Sequence, residues 1–349
     1  MASPFQTLPD DVQQRVLLGL NLDDHHATAA ACKAFRAVIR GPRFLALRQT
    51  YGFAERGVVV FGNQRPTVQG TRASRLVVVG RRQMTGNFEG GEPSSISSRG
   101  ATTDGARLFV STLGFPEGML AVNVSSRRWK RLATLPRGQR WHCSEWHGGV
   151  LYVAGGLGSE DHGIARFLRS VFAFSETTGS WEELPPMPHA CALAASGVIG
   201  NQLFIAGGQG TLGNEGIESS ELSTLQIYDI ANRTWRLGPP LPGPFSDGIG
   251  LVMDGRLFLV SSGDLLIYDP RSNTWTESRT YYPSNQMHHA CVHNNRIIVF
   301  LDLGTAWALA ADGSWTYYED AMAFVGPPAR RAHWPQNPEH YVSESVLLG

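Results

Sequence analysis

The 349-residue sequence has no net charge, since 30 basic residues balance 30 acidic ones. A protein that holds nucleic acid or an anionic membrane surface carries a basic excess, and this chain shows no such footprint. No apolar run approaches the roughly 18 residues that a membrane-spanning helix needs. Cysteine is scarce: Cys32, Cys143, Cys191 and Cys291 stand far apart with no C-x-x-C pair. That spacing offers no disulfide framework and reads as the reduced thiols of an intracellular protein. At the N-terminus, "MASPFQTLPDDVQQR" puts Asp10 and Asp11 where a signal peptide would need its apolar core. The expected location is therefore cytoplasmic, nuclear or both. In that setting the two N-x-[ST] sequons, at Asn123 and Asn232, carry no meaning.

Signatures of catalysis are missing as well. There is no nucleophile elbow, no phosphate loop and no paired catalytic carboxylate. "GLGSEDHG" has the glycines of a phosphate loop without its Lys-Ser/Thr. Among the 11 histidines, His142-Cys143, His189-x-Cys191 and His289-x-Cys291 recur at loosely similar places. A metal centre needs three or four converging ligands. Cysteine packs as a small apolar group near a crowded axis, which accounts for the recurrence without a metal. The expectation is a non-catalytic protein with no metal and no cofactor. A channel-centred metalloenzyme remains a distant alternative.

Glycine, at 39 residues, and proline, at 20, are plentiful and imply many turns between short strands. "LYVAGG" at 151–156 is echoed by "LFIAGG" at 203–208. Trp129, Trp181, Trp235, Trp275 and Trp315 each sit in a similar phrase, such as "GSWEELPPMP" and "RTWRLGPPLP". Gly155 lies 26 residues after Trp129, and Gly207 lies 26 after Trp181. The same step from Trp235 and Trp275 reaches Ser261 and Leu301. Phe174, Tyr228 and Tyr268 each precede a tryptophan by seven residues. Each unit thus reads as four short strands with a recurrent aromatic pair and a glycine pair after the second strand. A four-stranded sheet of this size cannot bury both faces alone, so the units must stack radially as the blades of a β-propeller. Periodicity alone makes the five tryptophans structural.

The glycine pair, the later aromatic and the Trp-x-x-Leu-Pro ending resemble the kelch repeat. Six blades are counted. Blade two, from "ISSRGATT", has Thr112-Leu113 in place of the glycines; blade one begins at "RGVVVFGN", puts Phe88 in the tryptophan's place and lacks a first strand. "HYVSESVLLG", residues 340–349, resembles the first strand "HCSEWHGGV" and is expected to close the ring beside blade one.

Residues 1–50 read differently. Val12, Val16, Leu17 and Leu20 fall at helical spacing, Asp23 or Asp24 can cap a second helix running to Ile39, and Gly41-Pro42 stops it. On this pattern alone the segment is a small helical cap. The order "LPDDV", "ACKAFRAVI", "GPRF" resembles the F-box, with Phe35 where that family usually has tryptophan. Ahead of kelch repeats, it makes the chain similar to the kelch-repeat F-box proteins best known from plants. The expected fold is an all-β six-bladed kelch β-propeller over 51–349 behind a small all-α F-box module over 1–50.

The resemblance implies a substrate receptor of a cullin-based ubiquitin ligase. The F-box would grip a Skp-type adaptor, and through it a cullin, with Leu8, Pro9, Val12, Cys32 and Phe35 at the family's contact positions. The propeller would hold a protein substrate whose identity the sequence does not give. A kelch scaffold that recruits no ligase is the alternative. In an up-and-down blade, the loops between strands two and three share a face with the loops between blades. Recognition is expected on that face. Its candidates are Arg137, Arg140, Trp141, Phe245, Tyr281, Tyr282, Asn285 and His288, with Arg330, Arg331 and Trp334 from the tail. Arg166 and Arg169 could join a pocket for an acidic motif.

Overall fold

The computed structural model describes residues 16–17, 28, 35, 44, 55–63, 74–78, 96–112, 118–123, 128–159, 165–217, 219–261, 264–279, 287–301, 305–309, 314–318 and 341–348. Residues 16–17, 28, 35 and 44 are helical, with Leu17 and Phe44 buried and Phe35 half-buried. No helix among the described residues is long and apolar enough to cross a membrane.

Six antiparallel sheets follow. Blade two runs through Ile96–Thr103, Arg107–Thr112, Met119–Asn123 and Arg128–Arg131. Blade three is Cys143–His147, Val150–Ala154, Val171–Ser175 and Ser180–Leu184. Blade four is Ala195–Ile199, Gln202–Ala206, Leu225–Asp229 and Thr234–Leu237. Blade five is Ile249–Met253, Arg256–Val260, Asp264–Asp269 and Thr274–Arg279. Blade six is Met287–His293, Arg296–Leu301, Thr305–Leu309 and Trp315–Tyr317. In blade one, Glu55–Asn63 lies between Ser74–Val78 and the last strand, Tyr341–Leu348. Phe88 lies outside the described residues.

The first strand of each blade is the inner one. Inner strands contact one another in the order of blades two, three, four, five, six and one, and the last contact returns to blade two. The ring is closed around a central channel.

The core lies between blades rather than within them. Tyr152, Ala154 and Ala173 of blade three pack with Leu203, Ile205 and Tyr228 of blade four. Phe204, Ala206 and Ile227 in turn meet Leu257, Leu259 and Tyr268 of blade five. Residues on both faces of the two middle strands are therefore buried, which is why "LFIA" and "LQIY" are apolar or buried throughout instead of alternating. Each buried Leu, Ile or Phe among them contributes about 1.5–3 kcal/mol.

The seven-residue spacing proves to be a cross-strand pair. Phe174 lies opposite Trp181, Tyr228 opposite Trp235 and Tyr268 opposite Trp275, with ring centroids 5.2, 5.0 and 5.1 Å apart. Each indole also reaches back to the preceding blade. Trp181 Nε1 donates to Ala133 O at 2.7 Å, Trp235 Nε1 to Pro185 O at 2.8 Å and Trp275 Nε1 to Pro239 O at 3.0 Å. Each acceptor stands four residues after the previous blade's tryptophan, so one residue type fastens the outer edges of successive blades.

Candidate functional site

The glycine pairs set up the loop face. Gly155, Gly156, Gly207 and Gly208 all have positive φ, a backbone region that costs other residues energy. The first glycine of each pair closes its own blade, donating to Ser170 O or Thr224 O at 2.9 Å. The second donates across to the next blade: Gly156 to Cys191 O at 2.8 Å and Gly208 to Phe245 O at 2.7 Å. A Cβ on Gly155 or Gly207 would overlap those same carbonyls. Close approach of the neighbouring backbone is what demands glycine here.

The described parts of the long connections after these glycines form strands, which their loop-like composition did not announce. Leu157–Ser159 pairs with Ala165–Phe167, and Gln209–Thr211 pairs with Ala190–Ala192 and Ser220–Glu221. The bridge Phe167↔Gly216 joins the two connections, and Arg140↔Leu157 ties the first of them to the loop that enters blade three. The stretch "ACALAASGVIG" is accordingly not one strand. It breaks at Leu193, whose φ of 55° turns Ala190–Ala192 outward to the loop face and leaves Ala195–Ile199 in the blade. Trp141 and Asp247, two residues before the inner strands of blades three and five, share this conformation at 57° and 56°. Leu193 N donates to Trp141 O, and Asp247 N to Leu193 O, each at 3.0 Å, forming a collar where the inner strands begin.

On this platform Arg137 makes a bidentate pair with Glu215 at 3.0 and 3.1 Å. Glu215 also accepts the Arg169 backbone N–H at 3.2 Å. The Arg169 guanidinium donates to Met187 O at 2.5 Å and to Asn214 Oδ1 at 3.1 Å. His189 Nδ1 accepts the Gly213 N–H at 2.8 Å, and burial, then the Arg169 charge, holds its pKa below the usual value. These contacts pin the 209–217 connection and leave Leu212 and Ile217 projecting, 69% and 60% exposed. Arg140 is exposed and its guanidinium lies 4.8 Å over the half-buried Trp141 ring.

The channel below is polar. His142 is buried, with Ser111 Oγ 3.1 Å from Nε2 and Ser144 Oγ 3.0 Å from Nδ1, and burial pushes its pKa down to about 4. Glu145 accepts a hydrogen bond from Ser196 Oγ at 2.7 Å, and burial pushes its carboxyl up to about 7. Burial raises the Cys191 thiol to about 12, so it is no nucleophile at neutral pH. No three His, Cys, Asp or Glu side chains come together as a metal site among the described residues.

With this geometry in hand, similarity to known proteins can be placed. A Kelch motif model matches residues 142–188 and 190–242, blades three and four, and an F-box domain model matches residues 5–47. The chain thus combines an F-box match with kelch-motif matches, as F-box/kelch-repeat proteins do. Such a protein of Arabidopsis thaliana, F-box/kelch-repeat protein At2g29600, is 24% identical over 135 residues, or 37% of this chain and 30% of its own. Kelch repeat and BTB domain-containing protein 12 of Danio rerio is 27% identical over 173 residues, 42% of this chain and 27% of the relative. Human Kelch-like protein 34 is 25% identical over 205 residues, 53% and 31% of the two chains. The F-box/kelch chain thus spans under a third of these relatives' lengths. The solved structure of YjhT superposes with a TM-score of 0.50 over 60% of this chain and 74% of the other, at 16% identity, which supports the propeller fold alone.

The candidate residues divide. Arg137, Arg140, Trp141, Arg166 and Arg169 lie on or beside the stitched connections of blades three and four. Phe245 does not belong with them: it is 4% exposed, packed with Leu225, Leu241 and Leu257, and offers only its backbone carbonyl to Gly208. Nor is Arg169 free to take an acidic motif, because Asn214 and Met187 hold its guanidinium. His288 lies in the inner strand of blade six. Leu8, Pro9, Val12, Cys32, Tyr281, Tyr282, Asn285, Arg330, Arg331 and Trp334 lie outside the described residues. Sequence reasoning missed Glu215, Leu212 and Ile217; the density of charge and glycine in "TLGNEGIES" was the available signal.

Proposed function

We propose that the F-box/kelch chain is a non-catalytic substrate receptor of a Skp–cullin–F-box ubiquitin ligase, acting in the cytoplasm, the nucleus or both. The F-box binds a Skp-type adaptor through Leu8, Pro9, Val12, Cys32 and Phe35, and the adaptor links it to the cullin. The loop face of blades three and four receives a protein substrate. The carrying observation is the pairing of an F-box match over 5–47 with a closed propeller whose loop face is tied by backbone bridges and rich in interface-type residues. Exposed Arg140 stacked on Trp141, with Leu212 and Ile217 projecting from a pinned connection, are the residue types that dominate binding hot spots or apolar anchors.

The test is capture of a purified Skp-type adaptor by the full chain, against Leu8→Ala/Pro9→Ala. Capture by the wild type and loss in the double variant, with thermal unfolding unchanged, supports the receptor. No capture by a folded full chain replaces it with a kelch scaffold that recruits no ligase. Phe35→Trp, which restores the residue usual in the family, should then bind if the aromatic size was limiting.

A further inference from the structure

The channel cavity, about 450 Å³, is walled by the inner strands of blades two to six. Antiparallel register fixes which residues share a level along it. Counting from the glycine pair or its replacement, Thr102, Glu145, Gly197, Leu251, Cys291 and Glu344 all lie opposite the same position of their second strands. Two of the six, on the strands either side of blade two, are glutamates, each preceded by serine in "SE".

Glu145 is the one acid among the described lining residues, and those residues include no Lys or Arg. Glu145 is half-buried on the channel wall, and a carboxylate partly withdrawn from bulk water, with no counter-charge among the described lining residues, is costly. Ser196 supplies one hydrogen bond, which is less than full compensation. His142 cannot supply the charge, because burial between Ser111 and Ser144 keeps it neutral near pH 7. A metal ion would lack its ligand shell, since no three donors converge among the described residues. An alkylguanidinium or alkylammonium needs only one carboxylate and a few hydroxyls, and the cavity has room for its carbon chain.

We propose that the propeller channel is a binding site for an organic cation, a guanidinium or ammonium head, entering beside Trp141 and pairing with Glu145. The inference does not depend on ligase assembly. Its pH dependence follows from the neighbours. The strands around the channel carry Cys143 and His147, with His142 just before them (blade three), His288, His289, Cys291 and His293 (blade six), Arg99 (blade two) and Tyr341 and Glu344 (blade one). The inner strands of blades four and five carry no titratable group. Burial lifts the Glu145 carboxyl to about 7, so it is ionised and able to bind above that pH and protonated below it. Binding should weaken about tenfold from pH 8 to pH 6 and release protons to the buffer below pH 7.

The test is titration calorimetry on the full chain with butylguanidinium, its neutral isostere butylurea, and the peptide acetyl-Gly-Gly-Arg-Gly-Gly-amide. Binding of butylguanidinium but not butylurea, lost at least tenfold in Glu145→Gln, supports the site. Binding of the peptide too identifies a partner's basic side chain as the source; binding of the small cation alone identifies a free metabolite. Should Glu145→Gln fail to fold, Ser196→Ala serves: losing a bond that favours the ionised carboxyl moves the pH midpoint of binding upward. Equal binding of butylguanidinium and butylurea, no binding by folded protein at pH 8, or a pH profile unmoved in Ser196→Ala overturns the proposal. The assay contains no adaptor, so its failure and that of the receptor reading are separable.

Discussion

Blades three and four differ from blades five and six at one corner, where strand two ends. In the first two, Gly155-Gly156 and Gly207-Gly208 lead into connections with strands of their own. In the other two, Ser261 and Leu301 stand at the first glycine's place, and strand three begins again at Asp264 and Thr305. One bond is common to both designs. The amide at the first position closes the blade whatever the residue: Gly155 to Ser170 O, Gly207 to Thr224 O, Ser261 to Asp264 O and, in blade two, Thr112 to Gly118 O. The second glycine adds the bond to the neighbouring blade. The motif is therefore a junction as well as a turn, and it stands where the chain builds a raised platform. Loss of the glycines in blades five and six goes with loss of the platform and leaves the blade intact.

The largest test of that contrast is Gly207→Val against Ser261→Val. The valine at 207 must adopt positive φ and displace the Phe245 carbonyl, so a cost of about 3 kcal/mol or more is expected in thermal unfolding. Ser261 has neither constraint, and its substitution should stay within about 1 kcal/mol. A similar cost at both positions would mean that the corner, not the junction, is what matters.

Next in size are the indole staples, which occur in both designs. Trp235→Phe and Trp275→Phe keep most of the ring stacking and remove the bond to Pro185 O or Pro239 O. Each should cost about 1 kcal/mol, equal in the blade with the glycine pair and the blade without it. Unequal losses in denaturant unfolding would show that the outer fastening depends on the inner junction.

Glu145→Gln separates the channel from the platform by pH. The folded-state pKa of Glu145 lies above its unfolded value, so its contribution is present at acid pH and lost as pH rises from about 4.5 through about 7. The variant should melt a few degrees above wild type at pH 8, with the gap closing near pH 4.5. A gap independent of pH would mean that Glu145 is not desolvated.

The smallest stability effect belongs to Glu215→Ala. Releasing Arg137 and the Arg169 amide should cost under about 1 kcal/mol, because the pair is partly exposed. Hydrogen exchange at 209–217 should nonetheless rise severalfold while blade five stays unchanged.

Much of this architecture could be read before any coordinates. The blade count and the aromatic pairs followed from fixed spacings, because a repeat must present the same groups to each neighbour. The face of Phe245 could not be read so. "GPFSDG" has loop composition, and only the arrival of the Gly208 amide shows why its backbone is drawn inward. The break at Leu193 was hidden for a related reason: "CALAA" has no turn residue, and the positive φ there is imposed by bonds from blades three and five. Local chemistry announces elements that stabilise themselves, and tertiary contacts write the rest.

The ring closes between Glu55–Asn63 and Tyr341–Leu348. On the ribosome, each of blades two to six can complete its own sheet soon after it emerges. The strand at 55–63 must instead wait until residues 341–348 have been made, on the order of tens of seconds at ordinary elongation rates. During that wait one edge of it is an unpaired ladder beside an open stack of blades. The longest-range pairing among the described strands is thus a late one, and a nascent propeller of this kind is most exposed to wrong strand partners until residues 341–348 appear.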